Sequence, residues 1–253
     1  MRTVFLLSPA FCGGRRAGIL LNPKSDAATT LEFRSGKMTL GRAFAFMSGL
    51  YFRGKLSYAE RFGEVLVITP TRGLQPASLP FNVKLLREFA VGDVSLDNPG
   101  YRSALERDAI ALAMRIGKKA QVVLLGSVAS GKYVDVLLPI FGDRLRYPVS
   151  FAGRGDMSRG GLLLRSAAGG EELEYGPLTA GIRPRGPRPP KLDPATRVAV
   201  SWRHESTGDR SVPDRGIVEP VLRSPGTPGP ERLAAVVDCR LRPRPRVHRR
   251  PRS

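Results

Sequence analysis

Gln121-Val122-Val123-Leu124-Leu125-Gly126-Ser127-Val128-Ala129-Ser130-Gly131-Lys132-Tyr133 is the stretch whose reading decides how this chain folds. Four apolar residues follow Gln121 without polar alternation, a glycine- and serine-rich loop interrupts them, and an apolar stretch of helical character runs on to Phe141. A strand with no alternation is covered on both faces, the mark of a parallel sheet held between layers of helices. Glu64-Val65-Leu66-Val67-Ile68, bounded by Gly63 and Pro70, repeats the pattern. Thr3–Leu7, stopped by Ser8-Pro9, is read as the first strand, and residues 146–149 as one more.

Helical periodicity fills the intervals. Residues 40–62 place Phe44, Met47, Leu50, Tyr51, Leu56, Tyr58 and Phe62 near helical spacing, as one kinked helix or two short ones, with Gly49 and Gly54 as breaks. The cluster Phe44, Met47, Tyr51 and Phe52 reads as core and not as a base-stacking platform. A short helix is expected over residues 83–89. Residues 101–119 carry Leu105, Ala109, Leu112, Ala113 and Ile116 on one face and Glu106, Arg107 and Asp108 on the other. Asp156 is a candidate N-cap for a helix over residues 157–167. Strands alternating with helices imply an α/β, three-layer sandwich with a mostly parallel, Rossmann-like central sheet of four or five strands.

From Ile182 onward the chain turns to Arg-Pro-Arg-Gly-Pro-Arg-Pro-Pro and loses its apolar period. The expected division is therefore an α/β domain over residues 1–182 and a disordered Arg/Pro-rich tail over residues 183–253, with one short helix near residues 231–237. The whole chain has 253 residues, with 41 Lys and Arg against 22 Asp and Glu, net +19. Residues 1–182 hold 24 of these basic side chains and 15 of the acidic ones, so the domain is moderately basic at +9. That balance favours an anionic partner, small molecule or nucleic acid. Two cysteines, Cys12 and Cys239, make neither a disulfide framework nor a Cys-rich zinc site, and a reducing cytoplasm fits them. The opening apolar run is too short for a signal peptide and no stretch suits a membrane span. No membrane partner, cofactor or metal is expected, and oligomeric state is left open.

Both histidines, His204 and His248, and Trp202 lie in the tail. A Ser-His-Asp triad, a Cys-His dyad and a His-ligated metal are thereby excluded from the domain, and acid-base work falls to Asp, Glu, Lys, Tyr or Cys. Four glycine-containing stretches are candidate ligand loops. Gly126 to Lys132 has Walker A spacing after a buried strand, but Tyr133 stands where a P-loop uses Ser or Thr to hold magnesium. Gly126, Ser127 and Lys132 are instead candidates for holding a phosphate or carboxylate, partly through backbone amides. In the loop after the first strand, Ser8, Cys12, Gly13, Gly14, Arg15 and Arg16 are candidates, because glycine admits a ligand to the backbone and arginine pairs with oxyanions. The competing reading makes this a tight turn with exposed arginines and a small buried Cys12. Arg72 and Gly73 occupy the third loop. Arg154 and Asp156 occupy the fourth, with Asp156 as the candidate catalytic carboxylate. Ligands of open parallel sheets bind outside the carboxyl ends of strands, so these loops are expected to form a basic, glycine-lined pocket there.

The order of a strand, a small polar turn, a helix bearing Ser48-Gly49-Leu50-Tyr51-Phe52 and Lys55-Leu56-Ser57-Tyr58-Ala59-Glu60, a strand and Thr69-Pro70-Thr71-Arg72-Gly73-Leu74-Gln75-Pro76 resembles a known group. These are the uncharacterised Rossmann-like domains related to the uracil-DNA glycosylase-like fold, some of which accompany archaeosine-type tRNA modification enzymes. The likeness spans roughly residues 3–90. It departs at Cys12-Gly13-Gly14-Arg15-Arg16, where those domains often show a Cys-Xaa-Lys-Lys-type turn, and the glycosylases' catalytic histidine motif has no counterpart. The resemblance implies a nucleobase, nucleotide or nucleic-acid ligand at the strand ends. The first functional expectation is thus binding of a nucleotide, nucleobase or nucleic-acid phosphate at the glycine-rich loops, with nucleoside processing through Asp156 and the Arg15/Arg16 loop. The alternative is a non-catalytic basic module that binds nucleic acid by charge, and a degenerate P-loop hydrolase is a third.

Overall fold

The structure, a computed structural model, describes residues 2–129, 131–179 and 186. The expected tail, its disorder and its short helix lie outside the described residues, Gly186 excepted. Six strands form one sheet in the order β3-β2-β1-β4-β5-β6: β1 Thr3–Leu7, β2 Glu64–Ile68, β3 Leu74–Pro76, β4 Gln121–Leu125, β5 Leu145–Pro148 and β6 Tyr175–Pro177. The inner four are parallel, and the two edge strands are antiparallel. The expectation of four or five strands is corrected to six. The two additions are three residues long, and each contains proline at a sheet margin, where no long apolar run marks a strand.

Among the described residues eight α-helices surround this sheet: α1 Arg15–Leu21, α2 Ala28–Arg34, α3 Leu40–Ser48, α4 Leu50–Phe62, α5 Val83–Val91, α6 Pro99–Ile116, α7 Gly131–Phe141 and α8 Asp156–Gly169. Side chains of β1 alternate between two cores. Phe5 and Leu7 join Val67, Val123 and the apolar residues of α1 to α5 and α8, among them Phe44, Met47, Tyr51 and Phe52. Val4 and Leu6 join Ile68, Val122, Leu124 and residues of α6 and α7. The chain therefore steps from β1 to β2 through one helical layer and from β4 to β5 through the other. Opposite directions of travel need opposite faces if both crossovers are to keep the same hand.

The expected break in residues 40–62 falls at Gly49, whose φ of 69° is open to glycine and strained for other residues. Gly54 does not break α4. It lies against Gly160 of α8, where a Cβ on Gly54 would sit 2.5 Å from the Gly160 carbonyl oxygen and one on Gly160 would sit 2.8 Å from the Leu50 carbonyl oxygen. The two glycines let α4 and α8 approach backbone to backbone. Asp156 is not the N-cap expected of it: Gly155 holds that position, Asp156 opens the first turn, and no side chain caps the helix. A carboxylate there still meets the positive end of the helix dipole favourably.

Gly160→Ala is expected to lower stability in urea unfolding by roughly 1–3 kcal/mol, because backbone lies where its methyl must go. Gly18→Ala on the exposed side of α1 has open space around it and is expected to raise stability by ~0.5–1 kcal/mol through its helix propensity.

Candidate functional site at the carboxyl edge of the sheet

The direction in which strands are added reverses between β1 and β4, which pair in register with Leu7 opposite Leu125. Ser8 is the first residue beyond β1, and its amide donates to the Leu125 carbonyl at 3.2 Å. Gly126 is the first residue beyond β4. A Cβ on it would lie 2.9 Å from the Ser8 Cβ, so glycine leaves the space that Ser8 fills.

Over this point lies Lys55. It is 1% exposed, and its Nζ donates to the Ser8 carbonyl at 2.7 Å and to Ser8 Oγ at 2.8 Å. Helical spacing brings it there: Tyr51, Phe52, Tyr58 and Ala59, three or four residues away on α4, are all buried, so position 55 faces the core whatever its side chain. The rings of Tyr51 and Phe52 stand 4.6 and 4.7 Å from Nζ. Burial lowers the Lys55 pKa to about 7, with the Asp156 charge opposing that shift. The amine therefore gives up its proton far more readily than an ordinary lysine.

Three further side chains complete the cluster. The Tyr133 hydroxyl interacts with Ser8, and burial together with Tyr51 and Asp156 raises its pKa. The Tyr51 hydroxyl is buried, the Arg159 guanidinium is the polar group beside it, and burial is the main cause that pushes its pKa up to about 12. Asp156, with 71% of its side chain exposed, forms the outer wall and is 3.7 Å from Arg159.

Of the residues singled out in the sequence, Ser8, Gly126 and Asp156 meet in this cluster. Tyr133 turns its hydroxyl to Ser8, away from the role a P-loop gives the corresponding hydroxyl. Lys132, in the first turn of α7, has its Nζ 5.4 Å from the Tyr133 ring, and Ser127 is half-buried beside Gly126. Gly13 and Gly14 lie under the exposed ring of Phe11, and Arg15 is exposed with no partner among the described residues.

The remaining candidates are engaged within the fold. Cys12 is buried with its thiol directed at the Ala10 carbonyl, and burial pushes it up to about 12, far from a reactive thiolate. Arg16 donates to the Phe46 carbonyl at 3.1 Å. Arg72 makes a two-pronged pair with Glu88, at 2.8 and 2.6 Å. Gly73 has φ +60°, and a Cβ there would collide with Asp108 and the Ala104 carbonyl. The third loop is thus a hairpin turn into β3, fastened to α5 and α6. Arg154 donates to the Ser150 carbonyl and to Ser158 Oγ, both at 3.0 Å.

Lys55 was not among the sequence candidates. Its signal is present in the chain: a lysine on the apolar stripe of an amphipathic helix. In isolation that pattern also suits a side chain that snorkels to solvent.

Because the folded Lys55 releases its proton near pH 7 and the unfolded lysine only near 10.5, the unfolded state binds more protons between these values. Stability is expected to rise with pH over that window and to fall as pH drops toward 7. Urea midpoints of the full chain between pH 7 and 8.5 should show a gain of roughly 1 kcal/mol per pH unit, which Lys55→Met removes.

Compared with protein-family models, with curated proteins and with solved structures, the chain matches none of them.

Proposed function

We propose that this chain binds a small anionic ligand of the nucleotide class in the crevice between the loops that follow β1 and β4. The observation that carries the reading is the meeting of Ser8, Lys55, Tyr51, Tyr133 and Asp156 at the point where strand order reverses. Adjacent loops diverge there, and open α/β sheets bind their ligands at that place. Lys132 and Arg15, which have no acceptor among the described residues, supply positive charge around the opening. The resemblance of residues 3–90 to Rossmann-like domains of the uracil-DNA glycosylase-like group points to the same ligand class.

A second reading has its own observation. At the opposite, amino edge of the sheet a cleft of about 570 Å³ is lined by Arg2, Lys118, Lys119, Arg144 and Arg146, with Asp143 as the acidic side chain among them. Arg2 is paired with Glu64, and Arg144 donates to the Gly117 carbonyl. Lys118 and Lys119 have no partner among the described residues. Such a face suits a nucleic-acid backbone held by charge alone.

Thermal unfolding of the full chain against a panel of nucleosides and nucleotides separates the two. Under the first reading a nucleotide raises the midpoint by a few degrees at ten times its Kd, Arg15→Ala and Lys132→Ala diminish that rise, and Arg72→Ala leaves it intact. Absence of any stabilising nucleotide would sink it. Under the second, a single-stranded oligonucleotide binds with steep salt dependence, and Lys118→Ala and Lys119→Ala each lower the salt slope by about 1.

A further inference from the structure

We propose that Ser8 is a nucleophile, that Lys55 is the base that takes its proton, and that the centre transfers the acyl group of an ester through a covalent Ser8 intermediate. The proposal uses the crevice assigned to the ligand above but not the ligand's identity.

Geometry is the first support. Ser8 Oγ is 2.8 Å from Lys55 Nζ, within the distance at which a base takes a hydroxyl proton. The second contact of Nζ, 2.7 Å to the Ser8 carbonyl, fixes its direction. A neutral amine has two hydrogens and one lone pair. With one hydrogen given to the carbonyl oxygen, the lone pair is free to accept the Ser8 hydroxyl proton. The base is oriented by a third group, the backbone itself, which is the arrangement an activated nucleophile requires.

The surroundings of Lys55 are the second support. A lysine kept charged in a protein interior is ordinarily matched by a carboxylate. Around this one stand Ser8 from the end of β1, Tyr51 and Phe52 from α4, Tyr133 from α7, and Asp156 with Arg159 from α8. Asp156 is largely solvent-exposed and already beside Arg159, so among the described residues no buried carboxylate holds the amine in its ammonium form. Burial accordingly lowers its pKa to about 7, so that the unprotonated amine, the form that accepts a proton, is available near neutral pH.

Beside this pair stands the Tyr51 hydroxyl, buried and facing the Arg159 guanidinium, which can serve it only as a donor. The proton of that hydroxyl is left without an acceptor among the described residues, which a native interior rarely allows. Placed on the same turn of α4 as Lys55, it is the donor available to the oxyanion that forms when Ser8 attacks a carbonyl.

The step balances with no co-reactant beyond water. Ser8 Oγ forms a bond to the carbonyl carbon as its proton passes to Lys55 Nζ. The bond from that carbon to the leaving oxygen breaks, and Lys55 returns the proton to the leaving alcohol. Water then attacks the acyl carbon as its proton passes to Lys55 Nζ, the bond from that carbon to Ser8 Oγ breaks, and Lys55 returns the proton to Ser8 Oγ, which releases the carboxylic acid and restores both residues.

Diisopropyl fluorophosphate tests this on the full chain without a known substrate, since attack forms a phosphorus–oxygen bond at serine and expels fluoride. The expected result is a single adduct mapped by peptide mass to Ser8, with a rate that rises with pH through a midpoint near 7. Lys55→Met should slow it more than about 100-fold and Ser8→Ala should abolish it. No adduct at Ser8, or one whose rate ignores Lys55, overturns the proposal. If Lys55→Met fails to fold by far-ultraviolet circular dichroism, Ser8→Cys with Lys55 in place decides. Alkylation by iodoacetamide should then show a midpoint near 7, whereas the ordinary thiol value of ~8.5 or above overturns it. The nucleotide-induced thermal shift of the unlabelled wild-type chain is measured beside its labelling, so failure of the covalent chemistry is read separately from failure of ligand binding.

Discussion

The rest of the molecule depends on the complete burial of β1. Thr3–Leu7 is paired on both sides, to β2 and β4, and covered on both faces, with Phe5 and Leu7 in one core and Val4 and Leu6 in the other. Each of those four side chains removed from water contributes roughly 1.5–3 kcal/mol, and they do so in two cores that otherwise meet only through the sheet. A strand held this way has no freedom of register, because a slip of one residue would exchange its faces. Its last carbonyls and the residue that follows are therefore fixed in space. Ser8 owes its position to this constraint.

From that fixed point the charged interior follows. α4 descends across the face of the sheet from the carboxyl edge, and the Gly54–Gly160 contact sets it close to α8. Close approach brings the first turn of α8, with Asp156 and Arg159, next to Tyr51 and Lys55. The amine is then surrounded by rings, two oxygens of Ser8 and backbone. Removing an ion from water into such surroundings costs several kcal/mol unless it loses its charge, and here the loss of charge falls near neutrality. A side chain that does nothing but fill space at this position would be better served by leucine or methionine.

The two edges of the sheet differ in what they offer. At the carboxyl edge most of the conspicuous arginines are tied to carbonyls or to Glu88, so the edge is less basic than its composition suggests, and its distinctive chemistry is a buried amine, a hydroxyl and two tyrosines. At the amino edge the cations stand around an open cleft and two lysines remain free of partners among the described residues. A compact ligand recognised by a few fixed groups suits the first, and an extended polyanion suits the second.

The sequence alone determined the α/β class, the four parallel strands and the long amphipathic α6, because each is written in local periodicity; it offered Gly49 and Gly54 alike as breaks, and only the structure chose Gly49. It also singled out Ser8, Gly126 and Asp156, since strand ends next to glycines and an acid at a helix start are local patterns. The edge strands were not legible, being three residues long and stabilised by a neighbour and not by their own pattern. Nor was the fate of the arginines, because whether a guanidinium meets a ligand, a carbonyl or a carboxylate 4 to 30 residues away is decided only when the chain folds. Lys55 is the clearest case. Helical spacing put it on the inward face, but only the packing of α4 against α8 and the fixed end of β1 decided that Ser8, and not solvent, would receive its amine.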